Sequence, residues 1–198
     1  NMDSTLPTSL QKPELFSTAK LLHERAEKAR VSQHDAMTEY SDGELLQQFR
    51  NGNNPNYAFN QLVKKYQQKV YYHIRRIVID HDDANDVAQN TFIKAWKGLE
   101  SFREDSQLFT WLYRIATNES LTFLKKKRTA FFIPIVNVER QLADKLEHDP
   151  LIRADDLQLK LQKAILTLPE KQRIVFNMKY FDEMKYEEMS QVLGTSVG

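Results

Sequence analysis

The sequence predicts an all-α protein made of two small helical domains joined by a linker. Apolar residues recur at the three- and four-residue intervals of amphipathic helices along most of the chain. Only 5 glycines and 6 prolines occur among 198 residues, and the alternating pattern of strands is almost absent. Stretches without a sustained period divide the chain into an N-terminal extension (1–38), a first domain (39–128), a linker (129–152) and a second domain (153–198). The extension fits either a short docked helix or a tail.

Composition limits the classes of function. The chain has 28 Lys and Arg against 27 Asp and Glu, a formal net charge of +1, so a surface that binds nucleic acid must be local. It has no cysteine, which excludes disulfides and thiolate metal sites. No apolar run approaches the roughly 20 residues of a membrane-spanning helix. We expect a cytoplasmic monomer with no membrane insertion and no cofactor.

Two helices open the first domain. The stretch SDGELLQQFRNG pairs Ser41 with Glu44 as a capping box and ends at Gly52. A long helix follows Pro55. Its apolar stripe consists of Phe59, Leu62, Val63, Tyr66, Val70, Ile74 and Ile77.

The third predicted helix, α3, lies in DANDVAQNTFIKAW (83–96) and has two contrasting faces. Its core face consists of Ala84, Val87, Ala88, Thr91, Phe92 and Ala95. The opposite face, which we call the α3 stripe, consists of Asp82, Asp86, Gln89 and Ile93. Because an apolar residue within a polar surround is typical of protein interfaces, this stripe indicates a protein-binding surface.

A polar loop and a basic helix complete the first domain. The loop mixes hydrogen-bonding groups with an aromatic ring, a combination that suits extruded bases. The residues that we assign to nucleic-acid binding are Ser101, Phe102, Arg103, Ser106 and Gln107 in the loop, and Arg114, Asn118, Lys125, Lys126, Lys127 and Arg128 on the helix. Two alternatives stay open, a solvated basic helix end and a polar loop in which Phe102 and Phe109 are core anchors.

Three shorter helices are predicted for the second domain. They cover 155–168, 169–181 with Pro169 at the first helical position, and 185–194 closed by Gly194. The last helix and its glycine resemble the first half of a helix-turn-helix, with Met189, Val192 and Leu193 facing inward. No recognition helix follows Gly198, and we expect that the chain has been cut there.

A metal-dependent phosphohydrolase is the enzyme alternative. His81, Asp82 and Asp86 could ligate a divalent cation. However, aspartates are also favoured at a helix N-terminus, and no second His and carboxylate cluster completes a closed site. We therefore expect no metal site and no enzymatic activity.

Taken in order, these pieces resemble the extracytoplasmic-function (ECF) group of bacterial sigma factors. The Asp-x-x-Gln-x-x-Phe pattern of that family is present as Asp86, Gln89 and Phe92, and its Phe-Arg loop as Phe102 and Arg103. Its Thr-Trp-Leu-Tyr-Arg-Ile-Ala-x-Asn segment runs from Thr110 to Asn118. The second domain resembles the family's fourth region through Leu168, Pro169, Glu170, Gln172, Arg173, Glu188, Met189, Val192, Leu193 and Gly194.

The sequence departs from the family pattern at several positions. The family often has Gly where this chain has Glu104, Phe where it has Leu108, and a polar residue where it has Phe109. Ser190 replaces a small apolar residue.

The resemblance implies a two-domain, all-helical sigma factor. Such a protein binds core RNA polymerase through the α3 stripe, recognises promoter DNA and helps to open it, and has an anti-sigma factor as a partner. The rival interpretations are a helix-turn-helix regulator that acts without polymerase and a helical scaffold that binds no nucleic acid. The promoter sequence, the genes controlled, the inducing signal and the role of residues 1–38 do not follow from the sequence.

Overall fold

The computed structural model describes residues 40–52, 54–130 and 156–197. All regular structure in these ranges is helical, which confirms the predicted all-α class. The helices are α1 (Asp42–Asn51), α2 (Pro55–Val78), α3 (His81–Leu99), α4 (Leu108–Ala130), α5 (Asp156–Leu166), α6 (Glu170–Tyr180) and α7 (Tyr186–Leu193). None of them is long and apolar enough to cross a membrane. The predicted extension 1–38 and most of the predicted linker lie outside the described residues.

Local capping explains where the first helices begin. The Ser41 hydroxyl accepts from the Glu44 N–H at 3.3 Å, and the Glu44 carboxylate accepts from the Ser41 N–H at 2.7 Å, so the predicted capping box is confirmed. Asn54 caps α2, and the helix begins at Pro55 itself, one residue earlier than predicted. The Asp80 carboxylate caps α3 by accepting from the Asp83 N–H at 3.0 Å.

The first unit consists of α1 to α4 around one apolar core. The long helices α2, α3 and α4 pack against one another, and α1 packs on α2 through Leu45 and Leu46. Every predicted core residue of α2 and α3 is buried or half-buried. Asp42 adds a polar contact between α1 and α2, because it accepts from Lys65 and from the Tyr66 hydroxyl, each at 2.6 Å. Burial and the hydrogen bond to Asp42 raise the pKa of Tyr66.

The second unit consists of α5 to α7 and lies against the first. Leu161 and Ile165 of α5 pack with Phe176 and Phe181. Helix α6 contacts α2, and α7 contacts α4. The second unit contributes to the same buried cluster as the first through Ile174, Met178, Met184, Met189 and Val192.

Some predicted boundaries differ from the structure. Gly98 and the polar cluster after it predict a loop over residues 98–109, but α3 continues through Gly98 to Leu99 and α4 begins at Leu108, so the loop is shorter. Both leucines are buried, and tertiary packing extends each helix to them. Pro169 is the N-cap of α6 with ψ 144°, not its first helical residue. The domain boundaries at 128 and 152 stay predictions, since α4 continues to Ala130 and the next described residue is 156.

Candidate functional site

The α3 stripe lies on the solvent side of the first unit. Asp82, Asp86, Gln89 and Ile93 are all exposed, as the helical period predicted. The Ile93 side chain is 52% exposed in this otherwise polar row. Asp82 also lies in the first turn of α3, where the helix dipole favours a negative charge.

An aromatic side chain extends this surface by one turn. Trp96 is 36% exposed and follows Ile93 at the i+3 spacing of one helical face. Its ring meets those of Phe49 and Phe59 edge-on, with centroids 5.1 and 5.0 Å away. We did not assign Trp96 from the sequence, although continuing the stripe by three residues would have found it.

The loop between α3 and α4, residues 100–107, is anchored at Phe102. The Phe102 ring is only 7% exposed and packs on Trp111 with centroids 5.0 Å apart. This burial favours the core-anchor interpretation of Phe102 over base stacking in this conformation. The other loop residues that we assigned to nucleic acid remain accessible, since Ser101, Arg103 and Gln107 are exposed and Ser106 is half-buried.

The residues of α4 that we assigned to nucleic-acid binding fall into two groups. Arg114, Asn118, Lys125 and Lys126 are exposed. Lys127 instead forms an ion pair with Asp83 of α3, and Arg128 lies 3.7 Å from the Glu170 carboxylate. Arg114, Lys125 and Lys126 are therefore the accessible cations of the set.

Helix α7 lies over the first turns of α4. The two helices border a cleft of about 330 Å³. The first unit lines the cleft with Asp105, Ser106, Thr110, Trp111 and Arg114, and α7 and the residues after it contribute Ser190, Gln191, Gly194 and Thr195. Ser106 and Arg114, which we assigned to nucleic-acid binding, thus face the second unit in this arrangement, as does Thr110.

A buried polar network, which we call the Asp182 network, also joins the two units. The Asp182 carboxylate lies 2.7 Å from Nδ1 of His73 and accepts from Arg76 at 2.8 Å. Nε2 of His73 lies 2.8 Å from the Thr117 hydroxyl on α4. The side chains of His73 and Asp182 are 0% and 3% exposed, so this contact excludes solvent. Nothing in the sequence pattern pointed to it.

The residues of the rejected metal site have other partners or face solvent. Nδ1 of His81 lies 2.6 Å from the Tyr71 hydroxyl, and Nε2 lies 3.2 Å from the Asn85 amide. Within the described residues, no group of three or more His, Asp or Glu side chains is arranged to hold a metal ion.

Comparisons with known proteins agree with the resemblance. Residues 62–130 match the family model of sigma-70 region 2, and residues 158–198 match that of sigma-70 region 4. The chain is 32% identical to the RNA polymerase sigma-H factor of Pseudomonas aeruginosa, over 82% of this chain and 87% of that protein. It is 31% identical to the ECF RNA polymerase sigma factor SigW of Bacillus subtilis, over 71% of this chain and 80% of that protein.

Solved structures share the fold. CnrH, solved in complex with the cytosolic domain of CnrY, matches with a TM-score of 0.52 and 27% identity, over 77% of this chain and 82% of that one. The sigma factor RpoE of Bartonella quintana, solved with the anti-sigma factor NepR, matches with a TM-score of 0.53 over 71% of this chain and 85% of that one. Its 22% identity makes this a likeness of fold alone. The chain therefore belongs to the ECF group of the sigma-70 family of RNA polymerase sigma factors.

Proposed function

We propose that this sigma factor docks on core RNA polymerase through the α3 stripe and recognises promoter DNA with the loop 100–107 and the accessible basic face of α4. The observation that carries the proposal is the exposure of Ile93 and Trp96 on successive turns beside Asp86 and Gln89. A partner that covers these exposed apolar side chains removes them from water, which favours binding. The flanking polar groups fix the partner's orientation.

Core-polymerase binding tests the docking surface directly. Gln89→Arg places a bulky cation within the stripe and should weaken binding about tenfold, because an unpaired charge would be buried at the centre of the interface. Gln68→Arg is the matched control, since Gln68 is also an exposed glutamine and lies on α2, outside the stripe. Equal polymerase binding by both variants and wild type would refute the assignment of this surface.

We assign promoter recognition to the loop 100–107 and α4. The exposed side chains of Ser101, Arg103 and Gln107 can hydrogen-bond to base edges. The exposed cations of α4, Lys125 and Lys126 among them, can neutralise phosphates. We assign single-stranded DNA as the target of the loop, since side chains reach base edges there without first opening the duplex.

Promoter opening requires polymerase on energetic grounds. Stacking costs about 1.4 kcal/mol per base-pair step, so a bubble of several pairs costs on the order of 10 kcal/mol. The whole specificity of a DNA-binding module is only about 4–10 kcal/mol. We assign to this chain no catalysis of its own and no melting of duplex DNA in isolation.

The position of α7 adds a second requirement for DNA binding, namely access to the first turns of α4. With the units packed together, Thr110 and Arg114 line a cleft shared with the second unit. Full access of DNA to this part of α4 requires α7 to move away. We propose that polymerase, by binding the two units separately, favours the opened arrangement, and that an anti-sigma partner of the kind bound to the Bartonella quintana RpoE opposes it.

A further inference from the structure

One guanidinium holds two points of the loop 100–107. Arg50, in the last turn of α1, donates through Nη2 to the backbone carbonyl of Phe102. Through Nη1 it donates to the Glu104 carboxylate at 2.5 Å. These contacts bracket Arg103, which is exposed between them. A planar guanidinium suits this task because its donors are fixed relative to one another.

Glu104, the second residue that Arg50 contacts, has an unusual backbone conformation. Glu104 has φ +61°, in the left-handed region that residues with a Cβ rarely adopt. Without a contact to hold it, Glu104 would readily adopt a negative φ. The backbone from Asp105 to Gln107 would then follow a different path. The ion pair with Arg50 favours the conformation in which the loop turns back toward α4.

The helix that supplies Arg50 is itself firmly placed. Its neighbour Phe49 packs against the rings of Phe59 and Trp96, and Leu45 and Leu46 of α1 are buried. The Arg50 side chain is 29% exposed. Arg50 therefore projects from a fixed base, whereas most of the loop faces solvent.

We infer that Arg50 is a positioning residue for promoter recognition: by holding the Phe102 carbonyl and the Glu104 carboxylate, it sets the shape in which the loop presents Arg103, Ser106 and Gln107 to bases. The inference rests on the proposed reading role of the loop. Arg50 itself contacts no DNA in this scheme, and it acts on discrimination between sequences, not on polymerase binding.

The test uses holoenzyme assembled from the full chain and core polymerase. A randomised pool of single-stranded oligonucleotides is first selected with wild-type holoenzyme. The affinity ratio of the selected sequence to its scrambled version then measures discrimination. Arg50→Ala should lower this ratio about fivefold, the effect of losing one well-formed charge-assisted contact pair. Lys64→Ala, which removes an exposed cation of α2 away from the loop, should leave it unchanged.

Glu104→Gly separates positioning from simple loss of charge. Glycine adopts φ +61° without steric cost, so this variant should keep most of the discrimination although it lacks the carboxylate. Glu104→Ala retains the steric penalty without the ion pair and should lower discrimination about two- to threefold, less than Arg50→Ala, because Arg50 still holds the Phe102 carbonyl. In the Glu104→Gly background, Arg50→Ala should cost about twofold, not fivefold, because only the contact with the Phe102 carbonyl remains to be lost.

The outcomes separate this inference from the proposed function. If Ser106→Ala and Gln107→Ala lower discrimination while Arg50→Ala does not, the loop reads DNA and the positioning role of Arg50 is wrong. An equal loss from Arg50→Ala in both backgrounds also overturns it. If wild-type holoenzyme selects no sequence, or if loop variants discriminate as wild type does, the proposed function and this inference fail together. Unchanged thermal unfolding and core-polymerase binding of Arg50→Ala would exclude a general structural defect.

Discussion

Removal of Asp182 should separate the two units. The Asp182 carboxylate is the acceptor for both His73 and Arg76, which belong to α2 of the first unit. Asp182→Ala leaves the fully buried His73 ring without its partner at Nδ1, and it leaves Arg76 with an unpaired charge at the interface. The open arrangement relieves both costs, because water then reaches these groups.

The size of the shift in the closed-to-open ratio follows from the burial of the ion pair that Asp182 forms. Breaking a buried ion pair by removing one partner costs about 3–5 kcal/mol. Arg76 is 18% exposed and keeps some access to solvent, so we take the lower end, about 3 kcal/mol, or about a hundredfold in the ratio of closed to open molecules. For comparison, burying an apolar side chain such as Met189 or Val192 contributes about 1.5–3 kcal/mol. The polar loss is therefore comparable to the burial of one or two of the five apolar side chains that the second unit contributes to the shared cluster.

Distance measurement between the units provides the assay. The sequence contains no cysteine, so Gln67→Cys on α2 and Lys171→Cys on α6, both exposed positions, can carry a donor and an acceptor dye without competing labels. Asp182→Ala should lower energy transfer and increase binding of the free chain to single-stranded DNA. Glu187→Ala removes an exposed carboxylate from α7 and should change neither quantity.

An unchanged energy transfer in Asp182→Ala, with helical circular dichroism intact, would refute the reasoning. It would mean that the apolar packing of α7 on α4 holds the units together without the Asp182 network. Lower energy transfer with no gain in DNA binding would instead show that α7 does not limit access to α4.

Two further predictions concern α4 and α1. Joint replacement of Lys125 and Lys126 by Gln should flatten the salt dependence of holoenzyme binding by about 0.7 per lost contact on single strands, or about 0.9 on duplex; an unchanged slope would favour the solvated-face interpretation. Hydrogen bonds from the Ser41 side chain and backbone hold the pKa of Glu44 below its ordinary value of 4.5. The resulting stabilisation is therefore present above pH 4.5 and is lost as the pH falls through the lowered folded value. In urea unfolding, the difference between wild type and Glu44→Ala should shrink between about pH 7 and about pH 3, and a difference independent of pH would contradict this account.

The elements of the fold were predictable where the determinants are local. The capping box of Ser41 and Glu44 and the left-handed Gly194, with φ +64°, mark helix ends within a few residues of sequence. The two faces of α3 follow from the 3.6-residue period alone. The α3 stripe was therefore found from the sequence, including the outward position of Ile93.

The Asp182 network, the role of Arg50 and the packing of Phe102 could not be predicted, because they depend on contacts between segments that are distant in the sequence or on tertiary packing. His73 and Asp182 are separated by 109 positions, and neither residue carries a local signal of the other. The role of Arg50 likewise requires a partner 54 residues away and a backbone conformation at Glu104 that its residue type disfavours. Phe102 fitted both a stacking platform and a core anchor by sequence, and only its packing on Trp111 distinguishes them.

The two kinds of contact in this molecule suit two mechanical roles. Within the first unit, α3 and α4 share an apolar core, and ion pairs from Lys94 to Glu119 and from Lys127 to Asp83 tie their surfaces together. The proposed polymerase-binding surface on α3 and the basic face of α4 are thus fixed relative to each other. Between the units, the buried Asp182 network adds a polar contact to the shared apolar cluster. Desolvation offsets most of the attraction in a buried ion pair, so such a network favours one docking geometry while contributing little net stability. We therefore propose that polymerase separates the units by binding each of them, without unfolding either one.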